Sequence, residues 1–249
     1  MLISLVMTVF NRERYVAEAI ESVLSQTWSN WELIVWDDGS SDRSVDIARA
    51  YADRDERIKV YANNHLGRGL ALATATQQAS GELMGFVDSD DYLHETALAQ
   101  TAVILENCPS VGMVYSNYIV IDEAGNELGA GKRCRIPYSK ERLLLDFMTF
   151  HFRLMRTDVF WQVGGIESKY AAAQDYDLCL KLSEVTEIRH VPKPLYYYRV
   201  HGNSISKSRQ FEQVYYSSEA ISRALQRRGL ADELDLCVEL RPKYFLRRK

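Results

Sequence analysis

The sequence predicts an α/β protein with a largely parallel sheet, and three observations carry that prediction. Short apolar runs alternate with stretches of helical periodicity through the first hundred residues. Strands separated by helices of this length are the pattern of βαβ units. Three polar clusters, "TVFNR", "DDGSSD" and "DSDD", each directly follow an apolar run. Ligands of open parallel sheets bind beyond the C-terminal ends of the strands, so all three clusters fall where a site belongs.

The elements follow in order. "LISLVMTV", Leu2 to Val9, is nearly continuous in apolar residues, as expected of a strand buried on both faces. In "RYVAEAIESVLSQ" the residues Val16, Ala19, Ile20, Val23 and Leu24 recur at helical spacing. "WELIVWDD" is the second strand, "RSVDIARAYADR" the second helix, "RIKVYA" the third strand, "GLALATATQQA" the third helix and "ELMGFV" the fourth strand. Beyond Leu93 a helix is expected over "ETALAQTAVILEN", a strand over "VGMVYSNYIVID" and a turn at "DEAGNE". The stretch from Ser139 to Gly165 is mixed, with one or two helices ending at Gly164-Gly165. "QDYDLCLKLSEV" starts with acids and reads as a helix. "IRHVPKPLYYYRVH" reads as a strand broken by Pro192 and Pro194, with Tyr196, Tyr197 and Tyr198 alternating faces. "VYYSSEAISRALQRRGL" is an amphipathic helix.

The 249 residues suit one large domain or two tightly associated halves. A net charge of −4 argues against wholesale nucleic-acid binding, which needs a basic face. The exception is the tail "RPKYFLRRK", either a solvated end or a contact for acidic lipid headgroups. Cys108, Cys134, Cys179 and Cys237 form no CxxC, so neither a zinc site nor a disulfide framework is expected. The apolar N-terminus lacks a basic n-region and breaks at Asn11-Arg12, so it reads as a core strand. A reducing cytoplasmic compartment is the expected home, at the inner face of the membrane if the tail docks there.

Asp88, Asp90 and Asp91 crowd three carboxylates into four positions after "LMGFV". Solvent, a helix N-terminus leading into "YLHETALAQ", or a divalent cation must offset their repulsion. In "WDDGSSD", Gly39 permits a tight turn and Ser40 or Ser41 caps the next helix. A carboxylate there can also accept hydrogen bonds from a base or ribose. Neither GxGxxG nor GxxxxGK[ST] is present, so nucleotide phosphates would need another counter-charge. Mg²⁺ or Mn²⁺ held by one or two carboxylates supplies it. Trp28, Trp31, Trp36 and Trp161 are expected in the core rather than as sugar platforms.

Together "TVFNRERYVAEAIESVLSQTW", "WELIVWDDGSSD", "SGELMGFVDSDD", "VGGIESKYAAAQDYDLCLKLSE" and "YYYRVHGNSIS" resemble, in order and spacing, the inverting nucleotide-sugar glycosyltransferases of family 2. The stretch from "HFRLMR" to "QDYDLCLKLSEV" is similar to the domains of bacterial chondroitin and hyaluronan polymerases. The resemblance implies a GT-A fold: a Rossmann-like, mostly parallel central sheet flanked by helices, a smaller mixed acceptor-side region and a C-terminal helix. It divides the chain into a nucleotide-sugar half (1–95), an acceptor and catalytic-base half of the same domain (96–210) and a C-terminal helix with basic tail (211–249).

It also implies roles. Thr8 and the backbone near Phe10 would border the nucleotide, and Asp38 would bind uracil. Arg68 would reach the base or diphosphate. Asp88, Ser89 and Asp90 match the DxD motif, in which Asp88 addresses ribose or metal and Asp90 holds Mn²⁺ or Mg²⁺ against the diphosphate. One sequence leaves open whether Asp91 shares that role. His201 matches a histidine that some members use toward the metal or diphosphate. Asp175 matches the catalytic base, which takes the acceptor hydroxyl's proton; Asp177 is the bland alternative. Gln174 stands where most members carry Glu. His151, Arg153, Gln174 and Arg199 are assigned to acceptor or diphosphate contacts. "GNSISKSRQ" is a candidate lid. The implied partners are a UDP-sugar donor and a glycan or lipid-linked acceptor.

Two other readings compete. A nucleotidyltransferase would carry a glycine-rich basic loop after the first strand, which "TVFNRERY" lacks. A catalytically silent nucleotide-sugar-binding subunit of a polysaccharide synthase would keep the acids without turnover.

Overall fold

A computed structural model describes residues 1–202 and 210–239. The candidate lid falls largely, and the basic tail wholly, outside these residues.

The first half is built as the periodicity predicts. β1 (Ile3–Val9), β2 (Trp31–Asp37), β3 (Ile58–Ala62) and β4 (Leu83–Phe86) pair in parallel in the order β3-β2-β1-β4. They are joined by α1 (Val16–Leu24), α2 (Ser44–Ala52) and α3 (Arg68–Thr76). The sheet is buried on both faces, which is why β1 and β2 read as continuous apolar runs. Leu5, Met7, Leu33 and Val35 pack with Val16 and Ile20 on one face. Val6, Ile34 and Trp36 pack with Ala71 and Leu72 on the other.

Past Leu93 the sheet becomes mixed. The remaining elements are β5 (Tyr92–Leu93), α4 (Ala97–Asn107), β6 (Val111–Ile121), β7 (Glu127–Ala130), β8 (Arg153–Arg156), α5 (Thr157–Gln162), α6 (Gln174–Val185), β9 (Glu187–Arg199) and α7 (Gln210–Arg227). β8 inserts antiparallel between β4 and β6, β9 runs parallel to β6, and β5 closes that edge antiparallel to β9. β9 continues through Pro192 and Pro194 instead of breaking. Proline donates no ladder hydrogen bond, so the register against β6 slips around Asn117, opposite Pro194, and the strand carries on. The tyrosines alternate: Tyr196 and Tyr198 both lie against His151, whereas Tyr197 stacks on its cross-strand partner Tyr92. Trp31 and Trp36 are core residues and Trp28 packs against the core, but Trp161 is 44% exposed at the end of the short α5. Among the described residues no helix is long and apolar enough to cross a membrane.

One buried charge ties the N-terminal end of the sheet. Glu32 accepts hydrogen bonds from Ser4 Oγ (2.6 Å), Ser80 N (2.8 Å) and Ser80 Oγ (2.7 Å), and pairs with Lys59 Nζ at 2.7 Å. Burial alone would raise its pKa; the Lys59 ammonium and the serine donors outweigh burial and hold it at about 2. The carboxylate is favoured in the folded state, so its stabilisation is complete above the unfolded value and fades as pH falls toward 2. Glu32→Gln is therefore expected to lower stability near neutral pH and to flatten its pH dependence below pH 5. Denaturant midpoints of both proteins from pH 3 to 7 check this; parallel curves would contradict it.

Candidate active site

The three crowded acids are balanced one by one, by different groups. The helix-N-terminus account does not apply, because α4 begins only at Ala97, beyond β5. Asp88 pairs with Arg68 at 2.7 Å. Burial pushes its carboxyl up, but Arg68, then His151 and Arg153, pull it down to about 2. Asp90 Oδ2 meets Arg12 Nε at 3.1 Å and His201 Nε2 at 2.9 Å. Asp91 is buried and accepts hydrogen bonds from Tyr196 Oη (2.9 Å) and Arg199 N (2.7 Å). Burial, followed by the charges of Asp90 and Asp88, raises its carboxyl well above the usual range. The acidic loop thus splits: Asp88 and Asp90 keep cationic partners, and Asp91 is a structural anchor to β9.

Beside Asp88 opens a cleft lined among others by Thr8, Arg68, Asp88, His151, Arg153 and Asp175. Asp175 lies in the first turn of α6, reached through Ala173 in a left-handed conformation (φ 62°). Arg153, buried on β8, donates to the carbonyls of Thr149 (3.0 Å) and Phe150, and its Nη2 lies 3.5 Å from Asp175 Oδ2. A guanidinium fixed by backbone carbonyls has little freedom, so it fixes the carboxylate beside it. His151 stacks on Tyr196 at 4.4 Å; burial, then the charge of Arg153, push its imidazolium well below the usual histidine range. Gly69, next to Arg68, lets α3 approach the loop that leads to α6: a Cβ there would sit 2.3 Å from Tyr170 O.

Just past the C-terminal end of β1, the exposed Phe10 ring stacks on His65 at 4.4 Å. Asp38 is buried and accepts from Leu66 N (2.7 Å) and Gly67 N (3.0 Å), with His65 Nδ1 at 3.0 Å from Oδ2. Each carboxylate oxygen retains further acceptor capacity. Gly39 takes φ 77°, and a Cβ there would strike His65 N at 2.6 Å. The cap of α2 differs from expectation. Asp42 Oδ1 accepts from Ser44 N (3.0 Å), while Ser40 Oγ accepts from Asn11 N (2.9 Å).

Three assigned residues do other work. Gln174 is buried and donates to Tyr170 O at 2.6 Å, holding the turn before α6. The Arg199 side chain is buried away from the lining of the cleft, bonded to Glu18, Asp90 O (2.9 Å), Asp122 O (3.2 Å) and Glu123 O (3.2 Å). It is a staple for the acidic loop. Ser89 is buried and donates to Thr8 O at 2.9 Å, so it ties the loop to β1. Arg12 and Tyr196 were not singled out by sequence. Arg12 had a signal in hindsight, a cation just past the first strand in "TVFNRERY".

Two groups are candidates for a divalent ion. Asp88, Asp91 and His151 bring ligand atoms within 4.8 Å of one another. However, both Asp91 oxygens already accept hydrogen bonds, and Asp88 is paired with Arg68. Asp90 Oδ2 and His201 Nε2 lie 2.9 Å apart, and Arg12, which holds the same oxygen at 3.1 Å, would have to yield it to an ion. Two neighbouring ligands of an octahedral ion with bonds of about 2.1 Å lie about 3 Å apart. A carboxylate with an imidazole suits Mn²⁺ more readily than Mg²⁺.

Comparison with known proteins gives this arrangement a lineage. Chondroitin synthase of Escherichia coli is 29% identical over 229 residues, covering 92% of this chain and 33% of that protein. Hyaluronan synthase of Pasteurella multocida is 26% identical over 248 residues, covering 98% of this chain and 25% of that protein. The chain thus spans between a quarter and a third of the length of these curated relatives. Among solved structures, Staphylococcus aureus TarS 1–349 in complex with UDP-GlcNAc superposes with a TM-score of 0.73 at 22% identity, over 90% of this chain and 66% of that one. A Pyrobaculum calidifontis mannosyltransferase in complex with GDP-Man and Mn²⁺ gives 0.64 at 16% identity, over 93% and 76%. The fold is therefore GT-A. The description Glycosyl transferase family 2 matches residues 4–164, from β1 through the acidic loop to the end of α5, and the chain belongs to that family.

Proposed function

We propose that this chain catalyses inverting transfer of a sugar from a UDP-sugar to a hydroxyl of a glycan or lipid-linked acceptor. The observation that carries the reading is that Asp175, set by Arg153, lines the same cleft as the Arg68–Asp88 pair. One wall thus bears the cation-paired acids suited to a nucleotide diphosphate, and the other bears a carboxylate suited to a base. Family membership, the synthases among the relatives and the UDP-GlcNAc complex of TarS support it. UDP-N-acetylhexosamine and UDP-glucuronate are the first donors to try.

Each residue then has a task. Phe10 and His65 offer a ring surface for the base, and Asp38 accepts its N–H. Thr8 borders the nucleotide, and Arg68 and Asp88 meet the ribose and diphosphate. Asp90 and His201 would hold Mn²⁺ or Mg²⁺, which would neutralise charge on the departing UDP. Arg12, already on Asp90, adds positive charge to that side. Asp175 accepts the proton of the acceptor hydroxyl as that oxygen attacks the anomeric carbon from the face opposite UDP. His151, uncharged and stacked on Tyr196, packs the wall between the two sites.

The test is UDP release from a panel of UDP-sugars, with and without Mn²⁺ and acceptor oligosaccharides. One donor is expected to give release that needs both the ion and an acceptor. UDP binding without release from any donor would instead favour a silent subunit.

A further inference from the structure

On the acceptor side, a short run of cations has no ion pair among the described residues. Arg133, in the short 3-10 turn Arg133–Arg135, is exposed, and among the described residues its guanidinium makes no ion pair and no hydrogen bond. It is nonetheless held in place. Its Cζ lies 4.3 Å from the Phe150 ring centroid and 5.3 Å from that of Phe147. Cation–π contact of this kind restrains the fork without using its N–H donors.

The Phe147 ring is shared. Arg153 Cζ lies 5.7 Å from the same centroid, and Arg153 is the residue beside Asp175. Arg133 is thus one aromatic ring away from Arg153, the neighbour of the candidate base. Its charge helps depress the imidazolium of His151, which lines the cleft. Of the two guanidiniums on that ring, only Arg153 has a carboxylate. Lys132 and Arg135 flank Arg133, both exposed and without ion pairs among the described residues. Three cations in four positions repel one another, and none of them has an ion pair among the described residues. In a chain of net charge −4 that concentration is local.

We propose that Arg133, with Lys132 and Arg135, forms an anion subsite for the acceptor, so that the acceptor is a glycan bearing carboxylate or phosphate groups. This rests on the transferase reading of the Asp175 cleft. The planar fork of Arg133 suits either oxyanion in bidentate fashion.

The test measures binding to the whole chain by calorimetry, so it does not depend on turnover. Three probes are used: a uronate-containing tetrasaccharide, the same tetrasaccharide with its carboxyls reduced to alcohols, and a polyol-phosphate oligomer. One charged probe is expected to bind at least tenfold more tightly than the reduced probe, and Arg133→Gln is expected to remove that difference. Whichever charged probe behaves so identifies carboxylate or phosphate as the anion. Arg133→Lys restores part of the difference, which a loss of fold would not allow. Equal binding of charged and reduced probes, or an unchanged preference in Arg133→Gln, overturns the subsite. If charged probes bind through Arg133 but no UDP-sugar gives UDP release, the transferase reading fails and the subsite stands.

Discussion

Asp175→Asn is expected to lower sugar transfer by about 10²- to 10⁴-fold, the range general-base catalysis contributes, while UDP still binds. Asparagine keeps the size of the side chain and can still meet Arg153 through its amide oxygen. It cannot accept a proton. The hydrogen-bond partners of Asp175 are Arg153 and Tyr176 N rather than the acidic loop, so UDP binding should be kept. The paired measurements are steady-state transfer and UDP affinity by calorimetry. Loss of UDP binding in this variant would move Asp175 from the acceptor side to the donor side. Full activity would remove it from the mechanism. Asp177 makes a useful contrast: it is buried and pairs with Lys181 at 3.0 Å, so Asp177→Asn should act on stability.

The second large effect is expected at the ion. Asp90→Ala should reduce transfer by at least about 10²-fold, as when a group that stabilises leaving-group charge is lost. It should also abolish the enhancement of Mn²⁺ binding by UDP. His201→Ala should weaken Mn²⁺ binding in the same assay. Asp91→Asn should retain it, because burial and the neighbouring acids already raise the Asp91 carboxyl and both its oxygens serve β9. If Asp91→Asn rather than Asp90→Ala loses the ion, the register of the motif is the other one.

The parallel half was legible because burial on both faces writes itself into β1 and β2 as continuous apolar runs, and α1 and α3 keep helical spacing. The acidic loop was legible for the same reason: it follows β4 directly. β8 was not, since four residues, Arg153–Arg156, are too few to show a period and two of them are arginines. Arg153 is satisfied by the local Thr149 and Phe150 carbonyls and by distant Asp175, and Arg156 by the distant carbonyls of Leu105, Cys108 and Val111. Asp88, Arg68, His151, Arg153 and Asp175 were named from their motifs, and the structure gathers them in one cleft. Arg199 and Gln174 were named the same way and point to structural tasks. A motif marks a position; it does not say which way the side chain turns.

The division of labour within "DSDD" is the point on which the account rests, and one measurement addresses it directly. Crystals grown with UDP and Mn²⁺ would be examined for anomalous scattering at the manganese edge. The account predicts a single strong peak bonded to Asp90 and His201 and to diphosphate oxygens. A peak among Asp88, Asp91 and His151, or a well-ordered UDP with no peak, would contradict it.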